Sequence, residues 1–165
     1  MPDDRARRVL MIAFHYPPYR GSSSVHRTLA FSKYLGGCGW QPVVLSAHPR
    51  AYPQTGDEQL AEIPADVPVE RAFALDSARQ LALGGRYLRL SAVPDRWSSW
   101  ALGAVPAGLA LIRRHRPAAL WSTYPIATAH WIAAALARLS GLPWIADLRD
   151  SMTEPGYPRD PWVRR

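Results

Sequence analysis

Apolar residues along this chain gather into short blocks of two kinds, separated by proline, glycine and serine. Four blocks are continuous: residues 9–14, 42–47, 118–122 and 143–148. A fifth, 69–75, is interrupted by charge. Short apolar runs without alternation suit strands buried on both faces of a parallel sheet. The remaining blocks repeat at helical spacing. Val25, Leu29, Ser32 and Leu35 share one face of a helix that opens at Ser23 or Ser24 and stops at Gly36-Gly37. Residues 97–115 predict a second helix, with Pro106 and two glycines as blemishes. Arg113-Arg114-His115-Arg116 closes it with the positive charge that a helix C-terminus favours. Residues 126–139 predict a third, rich in alanine and ended by Ser140-Gly141. Between these, 48–67 reads as a loop with one helical turn near 58–61. Residues 76–97 are ambiguous, a broken helix interrupted by Gly84-Gly85.

Strands alternating with helices predict an α/β fold: a Rossmann-like, doubly wound parallel sheet of five or more strands with right-handed crossovers. The domain is expected over 1–150, followed by a proline-rich tail over 151–165. In that tail Pro161-Trp162-Val163-Arg164-Arg165 looks like a first helical turn with proline at N1. It reads as the start of a truncated continuation or as a frayed terminus.

Composition then narrows the class. A chain of 165 residues with 48% hydrophobic and 20% charged positions is globular and large enough to bury a core unaided. The single cysteine, Cys38, cannot form an internal disulfide; it reads as a small buried filler in a reducing, cytoplasmic protein. No apolar stretch reaches the roughly 20 residues of a membrane span. The net charge of +7 comes almost wholly from arginine, Lys33 being the only lysine. The arginines are scattered rather than striped, and no nucleic-acid-binding motif accompanies them, so nucleic acid is set aside as a partner.

With strand order 3-2-1-4-5, the topological switch falls between the first and fourth strands, where ligands bind beyond the carboxyl ends. Three segments meet there: 15–27, 123–125 and 147–150. In the first, Gly21, Ser22, Ser23 and Ser24 at a helix N-terminus suit an anion, with Arg20 and Arg27 close by. An ordinary capped turn would carry the same residues. This is neither a Walker A loop nor a dinucleotide fingerprint, and Ser46-Ala47-His48 offers no acid for an adenosine ribose. Asp147, Arg149 and Asp150 could bind sugar hydroxyls or supply a general base, or form an ion pair that only orients the loop. His15 ends the first strand facing the crevice. His130 is expected to be packed or partner-facing, and Trp97 and Trp100 to be exposed.

Taken together, the residues resemble retaining glycosyltransferases of family 4. The resemblance rests on the strand over 9–14 with Tyr16-Pro17-Pro18, then Gly21-Ser22-Ser23-Ser24 and Arg27. It continues through Leu29-Ala30, Tyr34-Leu35, Gly39-Trp40 and Val43-Val44-Leu45, and ends on Pro143-Trp144-Ile145-Ala146-Asp147-Leu148-Arg149-Asp150. It implies the N-terminal, acceptor-side half of a GT-B architecture that needs no metal or cofactor and takes a nucleotide-sugar as substrate. It also implies diphosphate or acceptor contacts at Gly21, Ser22, Ser23, Ser24, Arg27, His15 and Tyr124, with Asp147, Arg149 and Asp150 as catalytic candidates. Serines stand where relatives carry further glycines, and Arg149 where many carry histidine. The acceptor is expected to be a lipid-linked glycan in polysaccharide or cell-envelope synthesis, met at the inner face of the membrane. Arg86, Arg89 and Arg96, with Leu88, Leu90 and Trp97, form the expected contact with anionic lipid. The nucleotide-sugar-binding half is expected on a separate or missing segment, so residues 1–165 alone should not transfer sugar. The alternative is a non-catalytic acceptor- or diphosphate-binding module that works with a separate donor-binding chain.

Overall fold

The computed structural model describes residues 7–82 and 92–148. Its centre is a five-stranded, wholly parallel sheet of order β3-β2-β1-β4-β5. The strands are β1 (Arg7–Ile12), β2 (Trp40–Ala47), β3 (Val69–Ala72), β4 (Ala119–Thr123) and β5 (Trp144–Asp147). Each lies within a few residues of the block that predicted it. The helices are α1 (Ser24–Tyr34), α2 (Ser77–Gln80), α3 (Trp100–His115) and α4 (Ala127–Ser140). This is the doubly wound, Rossmann-like α/β architecture that the alternation of blocks predicts.

Strand periodicity of two sorts β1 between the two layers. Leu10, Ile12 and Phe14 join a core with Trp100 and Leu111 of α3 and Ile132 and Leu136 of α4. Val9, Met11 and Ala13 turn the other way and pack with Leu29 of α1 and Trp121 of β4. Each fully buried Leu, Ile or Phe contributes about 1.5–3 kcal/mol by leaving water. The crossovers from β3 to β4 and from β4 to β5 both run on the α3/α4 side. The α1 side therefore keeps an apolar groove of about 260 Å³, lined by Val9, Met11, Phe31, Trp121 and Ile145 among others.

Two glycines that look like blemishes in α3 are where it packs most closely. A Cβ on Gly103 would sit 2.7–2.9 Å from the Phe73 backbone and Cβ, and one on Gly108 would press into the Leu136 side chain. Pro106 is tolerated on the exposed side.

The structure corrects several sequence expectations. Helix α1 ends at Tyr34 and tightens into a 3-10 turn over Leu35–Cys38; the left-handed stop is Gly39, φ 75°, rather than Gly36-Gly37. Cys38 is consequently exposed on that turn and is not a buried filler. The helical turn expected near 58–61 is a 3-10 turn over Leu60–Glu62. Trp100 is wholly buried, and Trp97 is half-buried against Phe14 with centroids 4.8 Å apart. Both were expected outside because Asp95 and Arg96 precede them, but those charges are consumed internally. Arg96 reaches the buried Asp76 carboxylate at 3.3 Å and lies over the Trp97 ring. Arg86, Arg89, Leu88 and Leu90, with Arg149, Asp150 and the tail over 151–165, lie outside the described residues.

Candidate functional site

The carboxyl ends of β1, β4 and β5 open onto the N-terminus of α1. Proline ends β1's run, and the chain crosses to α1 through Tyr16-Pro17-Pro18-Tyr19-Arg20-Gly21. Gly21 sits at φ +108°, a conformation that side-chain-bearing residues rarely adopt, so the turn requires glycine there. The turn is zipped to the loop after β2: Arg20 N–H donates to Gln54 O at 3.0 Å and Gly56 N–H to Pro18 O at 2.9 Å. From inside, Arg71 of β3 donates to the Pro17 carbonyl. Thr28 Oγ1 donates to His15 O at 2.6 Å, and Tyr16 OH to Ser32 Oγ at 3.0 Å. Helix α1 is thus fixed to the segment after β1 by buried polar contacts from its second and third turns.

Ser23 is the N-cap residue by position, yet its side chain makes no capping bond. Ser22 does that work, its Oγ accepting from Ser24 N–H at 3.2 Å. No acidic residue lies in the first turn, so the positive end of the helix dipole is not neutralised there.

Helix α4 shows the opposite arrangement. Its N-terminus also faces the carboxyl ends of the strands, but a carboxylate from the 92–99 loop already fills it. Asp95 Oδ2 accepts from Thr128 N–H at 2.8 Å, and Oδ1 from Thr128 Oγ1 and Trp97 N–H, each at 2.9 Å. Burial raises the Asp95 pKa above the usual carboxylate value, and the hydrogen bonds from Thr128 and Trp97 partly oppose it. The α1 end has no acidic residue in its first turn. Nothing local in the sequence announces the Asp95–Thr128 contact, which spans 33 positions.

The three segments expected around the crevice do meet. Arg27 binds Asp147 bidentately, Nε to Oδ2 at 3.0 Å and Nη2 to Oδ1 at 2.8 Å. Thr123 Oγ1 donates to Asp147 Oδ2 at 3.0 Å, and Tyr124 N–H to Asp147 O at 3.1 Å. One carboxylate therefore ties α1, β4 and β5 together. The Arg27 side chain keeps 43% of its exposure and Asp147 15%, so the pair is reachable from solvent. A guanidinium has five N–H donors, and Asp147 uses two of them. The rest meet no acceptor among the described residues.

The remaining predicted residues are placed as follows. His15 is buried and stacked on Tyr19 with centroids 4.2 Å apart, and Tyr124 is buried. Gly21 and Ser23 are exposed, Ser22 half-buried and Ser24 buried. His130 is held inside: Trp144 Nε1–H donates to Ser122 Oγ at 2.8 Å, and Ser122 Oγ meets His130 Nδ1 at 2.7 Å. Burial lowers the His130 pKa, with Asp147 acting weakly the other way. Among the described residues no cluster of three His, Cys, Asp or Glu could hold a metal ion. Nor is any helix there long and apolar enough to cross a membrane.

On the other flank of the α1 N-terminus lies an open cleft of about 520 Å³, lined by Tyr19, Arg20, Gly21, Ser22, His26, Glu58, Gln59 and Glu62. The sequence reading found its Gly21-Ser22 wall and missed the other. The 58–62 segment carries no motif; it is brought near by the zip between loops 54–56 and 18–20 and by contacts of Glu58, Gln59 and Glu62 with Arg20, His26 and Lys33.

A five-stranded parallel sheet of this order with helices on both faces defines the doubly wound, Rossmann-like α/β class of fold. Solved structures sharing it are glycosyltransferases with the GT-B architecture. MurG of Acinetobacter baumannii superposes at a TM-score of 0.53 and 18% identity, covering 88% of this chain and 36% of its own. SsfS6, a glycosyltransferase of Streptomyces sp. SF2575, gives 0.57 and 18%, covering 86% and 39%. UGT2 of Phytolacca americana, solved with UDP-2-fluoro-glucose and pterostilbene, gives 0.56 and 16%, covering 87% and 30%. The chain thus spans about a third of the length of these structures. No protein-family model matches the sequence, and no curated protein matches it significantly.

Proposed function

We propose that this chain is the acceptor-side half of a glycosyltransferase and that its α1 N-terminus receives the diphosphate of a nucleotide-sugar donor. The observation that carries the reading is the contrast between the two helix ends: α4 is filled by Asp95, while α1 has no acid in its first turn and Arg27 beside it. Backbone N–H groups, the helix dipole and a guanidinium with spare donors together suit a phosphate. Asp147 acts first as a positioning residue, since its carboxylate oxygens accept three hydrogen bonds that orient Arg27 and β4. Arg149 and Asp150, which the family 4 motif adds to the catalytic set, complete the site in this reading.

The finer expectations rest on the motif resemblance: family 4, retention of anomeric configuration, and a lipid-linked glycan acceptor in polysaccharide or cell-envelope synthesis. So do a cytoplasmic location against an anionic membrane and a second GT-B domain that holds the rest of the donor. Sugar transfer in this account belongs to the two halves together.

Calorimetry with UDP tests the phosphate site. Losing one charge-assisted hydrogen bond is worth about 1.5–3 kcal/mol, so Arg27→Ala should weaken binding by roughly 10- to 100-fold. Gly21→Val, which forces a β-branched residue into a positive-φ position, should weaken it comparably. Circular dichroism of both variants checks that the fold is kept. Unchanged affinity in two folded variants would remove the turn from the site.

A further inference from the structure

The cleft on the His26 side of α1 has a chemistry of its own. Its charges are paired within its walls and rim: Arg20 Nη1 stands 3.5 Å from Glu58 Oε1, and Lys33 binds Glu62. Its neutral polar groups are also linked, Gln59 Nε2 lying 3.0 Å from His26 Nδ1. Gly56 keeps the Arg20–Glu58 corner compact, because a Cβ there would collide with the Glu58 carboxylate and the Arg20 stem. Tyr19, half-buried and anchored by its stack on His15, supplies an apolar wall. The result is a cleft rich in both donors and acceptors, with one aromatic side and, in its lining, two carboxylates to one arginine.

We propose that this cleft binds an uncharged, polyhydroxylated ring and discriminates against anionic analogues of it. The inference rests on the glycosyltransferase reading above and names the class of acceptor: a neutral hexose unit. Neighbouring hydroxyls of a pyranose are donors and acceptors at once, so they can bridge Glu58, Gln59, His26 and Glu62 without displacing a charge. A sugar carboxylate would instead face Glu58 and Glu62, two carboxylates against the single Arg20 of the lining. This subsite shares Gly21 and Ser22 with the phosphate site and diverges from it beyond them, His26 leaving α1 toward Gln59 and Arg27 toward Asp147.

Saturation-transfer NMR on the full 165-residue chain tests this, with methyl gluco-, galacto- and mannopyranosides as neutral probes and glucuronate as the anionic one. At least one neutral glycoside should receive saturation, and glucuronate should bind about fivefold more weakly, the effect of the one excess carboxylate of the lining at contact distance in a wet site. Glu58→Gln, on an exposed side chain, releases Arg20 and should reverse the preference toward glucuronate. Gln59→Ala should weaken all probes alike. Binding of none of the neutral glycosides would overturn the inference, as would glucuronate equalling them in the parent or an unchanged preference in Glu58→Gln. UDP in the same samples separates the two claims. UDP binding without glycoside binding overturns the cleft and leaves the phosphate site standing; glycoside binding without UDP does the reverse.

Discussion

Removing the Asp95 carboxylate should both destabilise the fold and open a second anion site. In Asp95→Ala three donors lose their acceptor: Thr128 N–H, Thr128 Oγ1 and Trp97 N–H, all within 2.8–2.9 Å of Asp95. A lost helix cap costs about 0.5–2 kcal/mol. Leaving a buried donor unsatisfied costs about 1–3 kcal/mol, although Thr128 Oγ1 can rotate toward another acceptor. Since the terms overlap, the expected loss is about 2–4 kcal/mol at pH 7. That is a large share of the roughly 5–15 kcal/mol that holds a domain together. The sign of the pH dependence follows from the raised pKa. Between 3.8 and the folded-state value, the native protein holds the Asp95 proton more tightly than the unfolded chain does. Lowering the pH through that window therefore stabilises the parent relative to Asp95→Ala, and the gap between them widens. Urea unfolding of both proteins from pH 7 to pH 4 measures this. Phosphate should also stabilise Asp95→Ala more than the parent, because the vacated α4 N-terminus can then take an anion. A loss below about 0.5 kcal/mol, as for an ordinary surface change, together with equal phosphate effects, would refute the argument that Asp95 plugs α4.

Further outcomes follow from packing and titration. Gly103→Ala places a Cβ against the Phe73 backbone at 2.7–2.9 Å. The overpacking cost of about 1–3 kcal/mol outweighs the gain in helix propensity of about 1 kcal/mol, so the thermal midpoint should fall. For His130, a folded pKa below 6.5 means that the unfolded chain takes up the proton first as pH drops. Its contribution is complete above pH 6.5 and is lost as pH falls toward the folded value. A His130→Gln variant should flatten that part of the stability–pH curve.

The sheet was legible because its strands are apolar on both faces, and the order of blocks restricts a parallel sheet to few topologies. Contacts fixed by distant residues were not legible. Trp100 reads as a surface residue beside Asp95 and Arg96 until those charges are seen to meet Thr128 and Asp76. Cys38 reads as buried until the 3-10 turn after α1 carries it outward. Within the site, the sequence brought Arg27 and Asp147 to one crevice through topology alone, and the structure gives them a bidentate contact. Glu58, Gln59 and Glu62 had no such route, because the loop that delivers them is placed by two backbone hydrogen bonds, from Arg20 and Gly56.

The account turns on which helix end meets the phosphate. A 1H–15N NMR titration of the chain with UDP reads this residue by residue. The prediction is that the largest amide shifts fall on Gly21, Ser22, Ser23, Ser24 and Arg27, with Ala127 and Thr128 of α4 unmoved. Shifts concentrated at α4, or a flat response across the α1 turn at saturating UDP, would contradict it.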